Sequence, residues 1–197
     1  MVKIKKFFLK LFSPFANEVW WPNWSNRRWK NAIKYVELKE EDKLEKLTKA
    51  NITLLVRKLY KNFHWTADGI TELWDSITPP AQNYQHYLDG ELRDDCDGFH
   101  SLVYHCLHNN GIECYLLSAI AVGAGHCVLV FKLNDKWYVV DYNTVLNGYD
   151  TLQEAIDNYN IHYVDVYNTE SEVVYNGLIQ YDYQTGKFSS VKNQLLK

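Results

Sequence analysis

No stretch of about 18 uninterrupted apolar residues occurs in the chain, so nothing in it has the length to cross a bilayer as a helix. Long basic runs are missing too, and the net charge is −3, which argues against general nucleic-acid binding. The four cysteines form no Cys-x-x-Cys pair, and structural zinc usually needs closely paired ligands. That tells against a metal site built from Cys96, Cys106, Cys114 and Cys127 with His100, His105 and His108. No internal repeat or low-complexity linker marks a second domain. Small residues suited to signal-peptide cleavage are not evident near the N-terminus, and Lys10 interrupts the short apolar run there. Without a clear export signal, the expectation is reduced thiols and a cytoplasmic location, with a Cys106–Cys127 pair left open.

What is present is ample apolar material for one core: 47% of 197 residues are hydrophobic. The reading is an N-terminal amphipathic and Trp-rich arm over residues 1–30, followed by one domain over 31–197. In the first twelve residues Ile4, Phe7, Phe8, Leu11 and Phe12 share one helical face, and Lys3, Lys5, Lys6 and Lys10 lie mostly on the other. Such a helix ordinarily packs on its own core; peripheral membrane or partner contact through residues 1–12 is the alternative. Residues 13–30 read as turn-prone. Their tryptophans, interleaved with Arg27 and Arg28, suit the edge of a core better than a stack of bases. Residues 31–49 read as a solvated helix of mixed charge, and 51–63 as a core helix carrying Ile52, Leu55, Val56, Leu59 and Phe63. A short helix is expected over 65–77, ended by Pro79-Pro80. Thr151 to Glu154 forms a capping box that opens a helix to about Tyr159. Residues 161–183 alternate as strands do, and Thr185-Gly186 makes a hairpin turn.

The chemistry concentrates between Asp94 and Asp141. Phe99, Leu102, Val103 and Cys106 recur at helical spacing, so residues 97–109 form a helix, capped by Asp94 or Asp95 and followed by Gly111. Cys96 therefore lies in a first helical turn, where unpaired N–H groups and the helix dipole favour a thiolate. Asp94, Asp95 and Asp97 oppose that, so a cationic imidazole is needed. His126 opens a strand over 126–131, and a second strand runs over 137–142. A turn centred on Asn134-Asp135 pairs residues whose numbers sum to 269. His126, Val128, Asp141 and Asn143 then share one face, with His126 and Asp141 diagonal neighbours about 7 Å apart at the backbone. A slip of one residue would put Asp141 on the other face. Cys127 points away from His126, into the core.

A Cys at a helix start, a His beginning a strand and an Asp on the next strand resemble the transglutaminase-like superfamily of papain-like cysteine hydrolases. Asp95-Cys96-Asp97 is similar to the pattern of bacterial transglutaminase-like cysteine peptidases. Thirty residues separate Cys96 from His126 and fifteen separate His126 from Asp141. The resemblance covers about residues 65–160. The usual Gly-Asp-Cys reads Asp94-Asp95-Cys96 here. Asp95-Cys96-Asp97-Gly98-Phe99 also resembles the Asp-Cys-Ser-Gly-Phe of papain-like cell-wall endopeptidases. Those usually place a Gly-Asp pair before the His and a second His as orienter, and no such Gly-Asp pair stands before His126 here.

The resemblance implies an α+β fold, with the Cys helix packed on an antiparallel sheet. It makes Cys96 the nucleophile, His126 the general base and acid, and Asp141 the orienting residue, with Asn143 as an alternative orienter. Developing oxyanion charge needs donors. The N–H of Cys96 is one, and the resemblance offers the amide of Gln82 or the indole of Trp74 as a second. The expected function is cysteine-dependent peptide or amide hydrolysis through a thioester, on a peptide or protein substrate and with no cofactor. Transfer to an amine, cell-wall peptide cleavage, and a non-catalytic binding module of the same fold are the alternatives.

Overall fold

Alternating apolar residues and three tight turns in the second half of the chain build a six-stranded antiparallel sheet. In this computed structural model, residues 2–66, 76–122, 124–167 and 172–191 are described. The strands are β3 (Cys114–Ala121), β4 (Ala124–Leu133), β5 (Lys136–Asp141), β6 (Thr144–Val145), β7 (Tyr175–Asp182) and β8 (Lys187–Ser190), in the order β6-β5-β4-β3-β7-β8. A separate two-residue parallel ladder joins β1 (His64–Trp65) to β2 (Arg93–Asp94).

Every face of the large sheet is covered. On one side Leu116, Cys127, Leu129, Phe131, Val140 and Ile179 pack with the apolar faces of α3 (Lys49–Lys61) and α5 (Cys96–Asn109). On the other, Leu117, Val128, Val130, Val139 and Leu178 pack with Leu152, Ile156, Tyr159 and Tyr163 of α6 (Leu152–Tyr167). Both clusters are apolar on the sheet and on the helix, so each excludes water from a continuous layer. α4 (Pro80–Leu88) lies along α5, with Asn83 Nδ2 donating to the Gly98 carbonyl at 3.0 Å.

The hairpin register follows from its turn. Asn134 and Asp135 have φ of +49° and +60°, as a two-residue type I′ turn requires. Leu133 faces Lys136, and Leu129 faces Val140, so the pairs keep the sum of 269 expected from the sequence.

Several elements differ from their sequence reading. Residues 13–28 are helical rather than turned, and a turn comes only at Trp29 and Lys30: α1 (Val2–Phe15) runs through a π-helical stretch at Ala16–Trp20 into α2 (Trp21–Arg28). Pro14 has no N–H to give the helix, and a wider π turn follows it; Pro22 sits in the first turn of α2, where its missing N–H costs nothing. Residues 31–48 are irregular apart from a 3-10 turn at Glu40–Asp42. Asp42 is not a surface charge: it is buried, accepting from Lys58 Nζ and from the Tyr84 hydroxyl, both at 2.8 Å. α6 continues to Tyr167, because Tyr159 and Tyr163 are needed under the sheet, so 161–167 are not strand. The expected short helix over 65–77 falls mostly outside the described residues. Among the described residues no helix is long and apolar enough to cross a membrane.

Candidate active site

Asp95 is the N-cap of α5, its carboxylate accepting the N–H of Asp97 at 3.1 Å. Cys96 is therefore the first helical residue, and it is half-buried. Asp94 closes over the same turn. One of its oxygens accepts from the N–H of Asp95 at 3.0 Å and the other from the Thr78 hydroxyl at 3.1 Å. The carboxylate lies so near Gly98 that a Cβ there would come within 2.1 Å of it. The glycine of the Asp-Cys-Asp-Gly-Phe motif thus makes room for an acid at the turn that carries Cys96.

His126 Nε2 stands 3.0 Å from Asp141 Oδ1, and both side chains are buried. The hairpin delivers this pair as diagonal neighbours. Nε2 is thus the ring nitrogen engaged by the carboxylate. The ring of Tyr163 lies 6.0 Å away and nearly parallel to the imidazole, and that of Tyr142 lies 5.4 Å away. Burial raises the pKa of both phenols, and the neighbouring Cys96 sulfur raises them further. One sulfur thus acts on both rings that flank His126.

The sulfur meets the sheet at a defined gap. Leu133 and Lys136 close a two-residue turn, so odd-numbered residues of β4 direct their N–H groups toward β5. Cys127 would pair there with residue 142. The strand, however, ends at Asp141, and Tyr142 turns away with φ +46°. The Cys127 N–H points instead to Cys96 Sγ, at 3.4 Å. The early end of β5 is what lets a thiol on one side of the sheet approach a residue adjacent to His126. As expected, the Cys127 side chain is core; its main chain is the part that meets the thiol.

His100 fastens this gap. It lies one turn after Cys96, fully buried, with Nδ1–H donating to the Cys96 carbonyl at 2.6 Å and Nε2 accepting the Tyr142 N–H at 3.1 Å. Acceptance at Nε2 requires the neutral ring. Burial, then repulsion from His126, lowers its pKa to about 4. The sequence carries one signal of this role, the i,i+4 spacing from Cys96, which puts both residues on one helix face. A further imidazole, His162 of α6, has its Nε2 3.8 Å from the second oxygen of Asp141.

The remaining candidates are placed elsewhere. Gln82, on α4, accepts the Ile33 N–H at 3.3 Å, and its amide nitrogen stands 2.8 Å from His86 Nε2. Its amide meets the 31–48 segment, whereas Asn83 faces α5. Asn143 is exposed in the turn between β5 and β6 and accepts from the Thr144 hydroxyl at 3.3 Å, so it does not orient His126. The strand ends at Asp141, two residues before it. Trp74 lies outside the described residues. All four cysteines are free thiols, and burial raises the pKa of Cys106 and Cys114.

Compared with known proteins, the chain matches no protein-family model and no curated sequence.

Proposed function

We propose that the protein is a cysteine-dependent peptidase or amidase of papain-like, transglutaminase-like architecture. The observation that carries this is the buried His126–Asp141 pair, with a thiol at a helix N-terminus held by the N–H of the residue next to that histidine. Asp141 holds Nε2–H and fixes the tautomer, so Nδ1 takes the thiol proton. The thiolate attacks an amide carbonyl carbon, the C–N bond breaks, and the imidazolium gives its proton to the leaving amine. Water, deprotonated by the same nitrogen, then opens the thioester. The N–H groups at the start of α5 face the forming oxyanion. Hydrolysis becomes transfer when an amine replaces water, which leaves the residue roles unchanged.

Iodoacetamide labelling at pH 6 to 8, read by mass spectrometry, tests the nucleophile. Cys96 is expected to react first, because the other three thiols are buried. His126→Ala is expected to slow that reaction by about tenfold or more at the acid end of the range. A Cys96 that reacts no faster than a free thiol, indifferent to His126, would remove the catalytic reading and leave a binding module. Incubation with an amide substrate plus a primary amine then separates free acid from amine adduct.

A further inference from the structure

The N-terminal arm is folded with its polar side inward. Its buried residues include Ser13, Asn17 and Ser25. Asn17 Oδ1 accepts from the Ser118 hydroxyl of β3 at 2.8 Å, and Ser25 accepts the Ile77 N–H at 3.0 Å. Asn26 binds both the carbonyl and the N–H of Phe188, at 2.9 and 2.7 Å, covering the outer edge of β8. Lys6 forms an ion pair with Glu172.

The apolar side faces out. Phe7, Phe8, Leu11, Phe12 and Phe15 are 51 to 64% exposed, and Val19 and Trp20 continue them. Residues 7, 11, 15 and 19 form one row at four-residue spacing, and 8, 12 and 20 lie along the next, so the stripe is continuous. Phe8 stacks on Phe12, and Trp20 on Trp24, each at 6.2 Å. An amphipathic helix that serves its own core has the opposite orientation. The expectation that this helix packs its apolar face on its own domain is therefore overturned. An exposed apolar stripe of this length marks a binding surface.

Charge selects the occupant. Residues 2–15 carry four lysines and no acidic residue, in a chain whose net charge is −3. Lys5 and Lys10 are exposed and border the stripe on its two sides. Two copies meeting stripe to stripe would bring Lys5 and Lys10 of each together, and the acid along the stripe, Glu18, is already taken by the Tyr175 hydroxyl. We infer that the stripe is a docking surface for an anionic membrane, with the phenylalanines at the acyl boundary, the lysines at the lipid headgroups and the Trp20–Trp24 pair at the interface. The surface does not depend on the thiol chemistry.

Flotation of the full chain with phosphatidylcholine vesicles, with and without phosphatidylserine, tests this. The chain is expected to float with the phosphatidylserine vesicles, to be released by high salt, and to show a blue shift of tryptophan emission. Phe8→Ser with Phe12→Ser, both on the exposed stripe, is expected to weaken binding by about tenfold or more with far-UV circular dichroism unchanged. Lys5→Glu with Lys10→Glu is expected to abolish the preference for phosphatidylserine, whereas Cys96→Ala binds as the parent does. Three results would overturn the proposal: failure of the full chain to float with phosphatidylserine vesicles, undiminished binding by the double phenylalanine variant, or a dimer in solution that this variant dissociates. The last would assign the stripe to a second copy.

Discussion

Gly98 shows how one residue shapes the candidate site. Replacing glycine with alanine inside a helix normally stabilises it, by about 1 kcal/mol. Here the added Cβ would meet the Cβ, Cγ and one oxygen of Asp94 at 2.1 to 2.3 Å. Asp94 is too short to yield without losing Thr78 or the Asp95 N–H. Gly98→Ala is therefore expected to destabilise by about 1–3 kcal/mol, measured by urea denaturation, and to slow Cys96 labelling along with it. At this scale the sequence was informative where contacts follow from periodicity. His126 and Asp141 meet because strand alternation and a two-residue turn oblige them to. His100 was not legible, since its bond to Tyr142 exists only after β5 ends and α5 docks beside it. The direction of Gln82 was not legible either, because it depends on how α4 packs.

Elements are decided by local chemistry wherever a strong signal is present. The Thr151–Glu154 box forms as expected: Glu154 N–H donates to the Thr151 hydroxyl at 3.1 Å, and Glu154 Oε2 accepts the Thr151 N–H at 3.3 Å. The Asn134-Asp135 turn is the strongest case, because it sets the register that brings His126 to Asp141. Asp135 holds φ +60°, which costs an L residue more than glycine. Asp135→Gly is expected to raise stability by about 0.5–1 kcal/mol without altering Cys96 reactivity. Thermal unfolding and a labelling time course together check it. Elements whose ends depend on packing were less legible. The alternation in 161–167 looked like strand, yet Tyr163 belongs to a helix that fills the space under the sheet. The prolines of residues 13–30 suggested turns, although each has a position a helix tolerates.

For the molecule as a whole, pH is the informative variable. His100 and His105 are both buried, and burial is the leading cause that brings each from an ordinary value of 6.5 down to about 4. His105 has Nε2 at 2.8 Å from the Val36 carbonyl, a contact that favours the charged ring, and Nδ1 at 3.0 Å from the Tyr183 hydroxyl; burial outweighs that contact, helped by repulsion from His108. Between those two pH values the unfolded chain binds protons that the folded chain refuses. The stability these rings contribute is complete above about pH 6.5 and is lost as pH falls toward 4, at up to about 1.4 kcal/mol per pH unit for each ring. Urea midpoints from pH 7.5 to 5 are expected to fall, and to fall less in His100→Gln or His105→Gln. The α+β class, the sheet and the His126–Asp141 pairing were readable in advance, because each rests on short-range pattern. The outward polarity of the arm was not, since amphipathicity gives a helix two faces without saying which one the protein keeps.

The stretch of β4 that runs on beyond the end of β5 has one more consequence. A thiolate accepts a hydrogen bond more strongly than a thiol, and the Cys127 amide has taken the sulfur in place of a strand neighbour. Whatever happens to that sulfur, whether it loses a proton, is acylated or is oxidised, is felt directly by the sheet's main chain. A covalent event at the helix start is in this way transmitted to the strand that carries the imidazole.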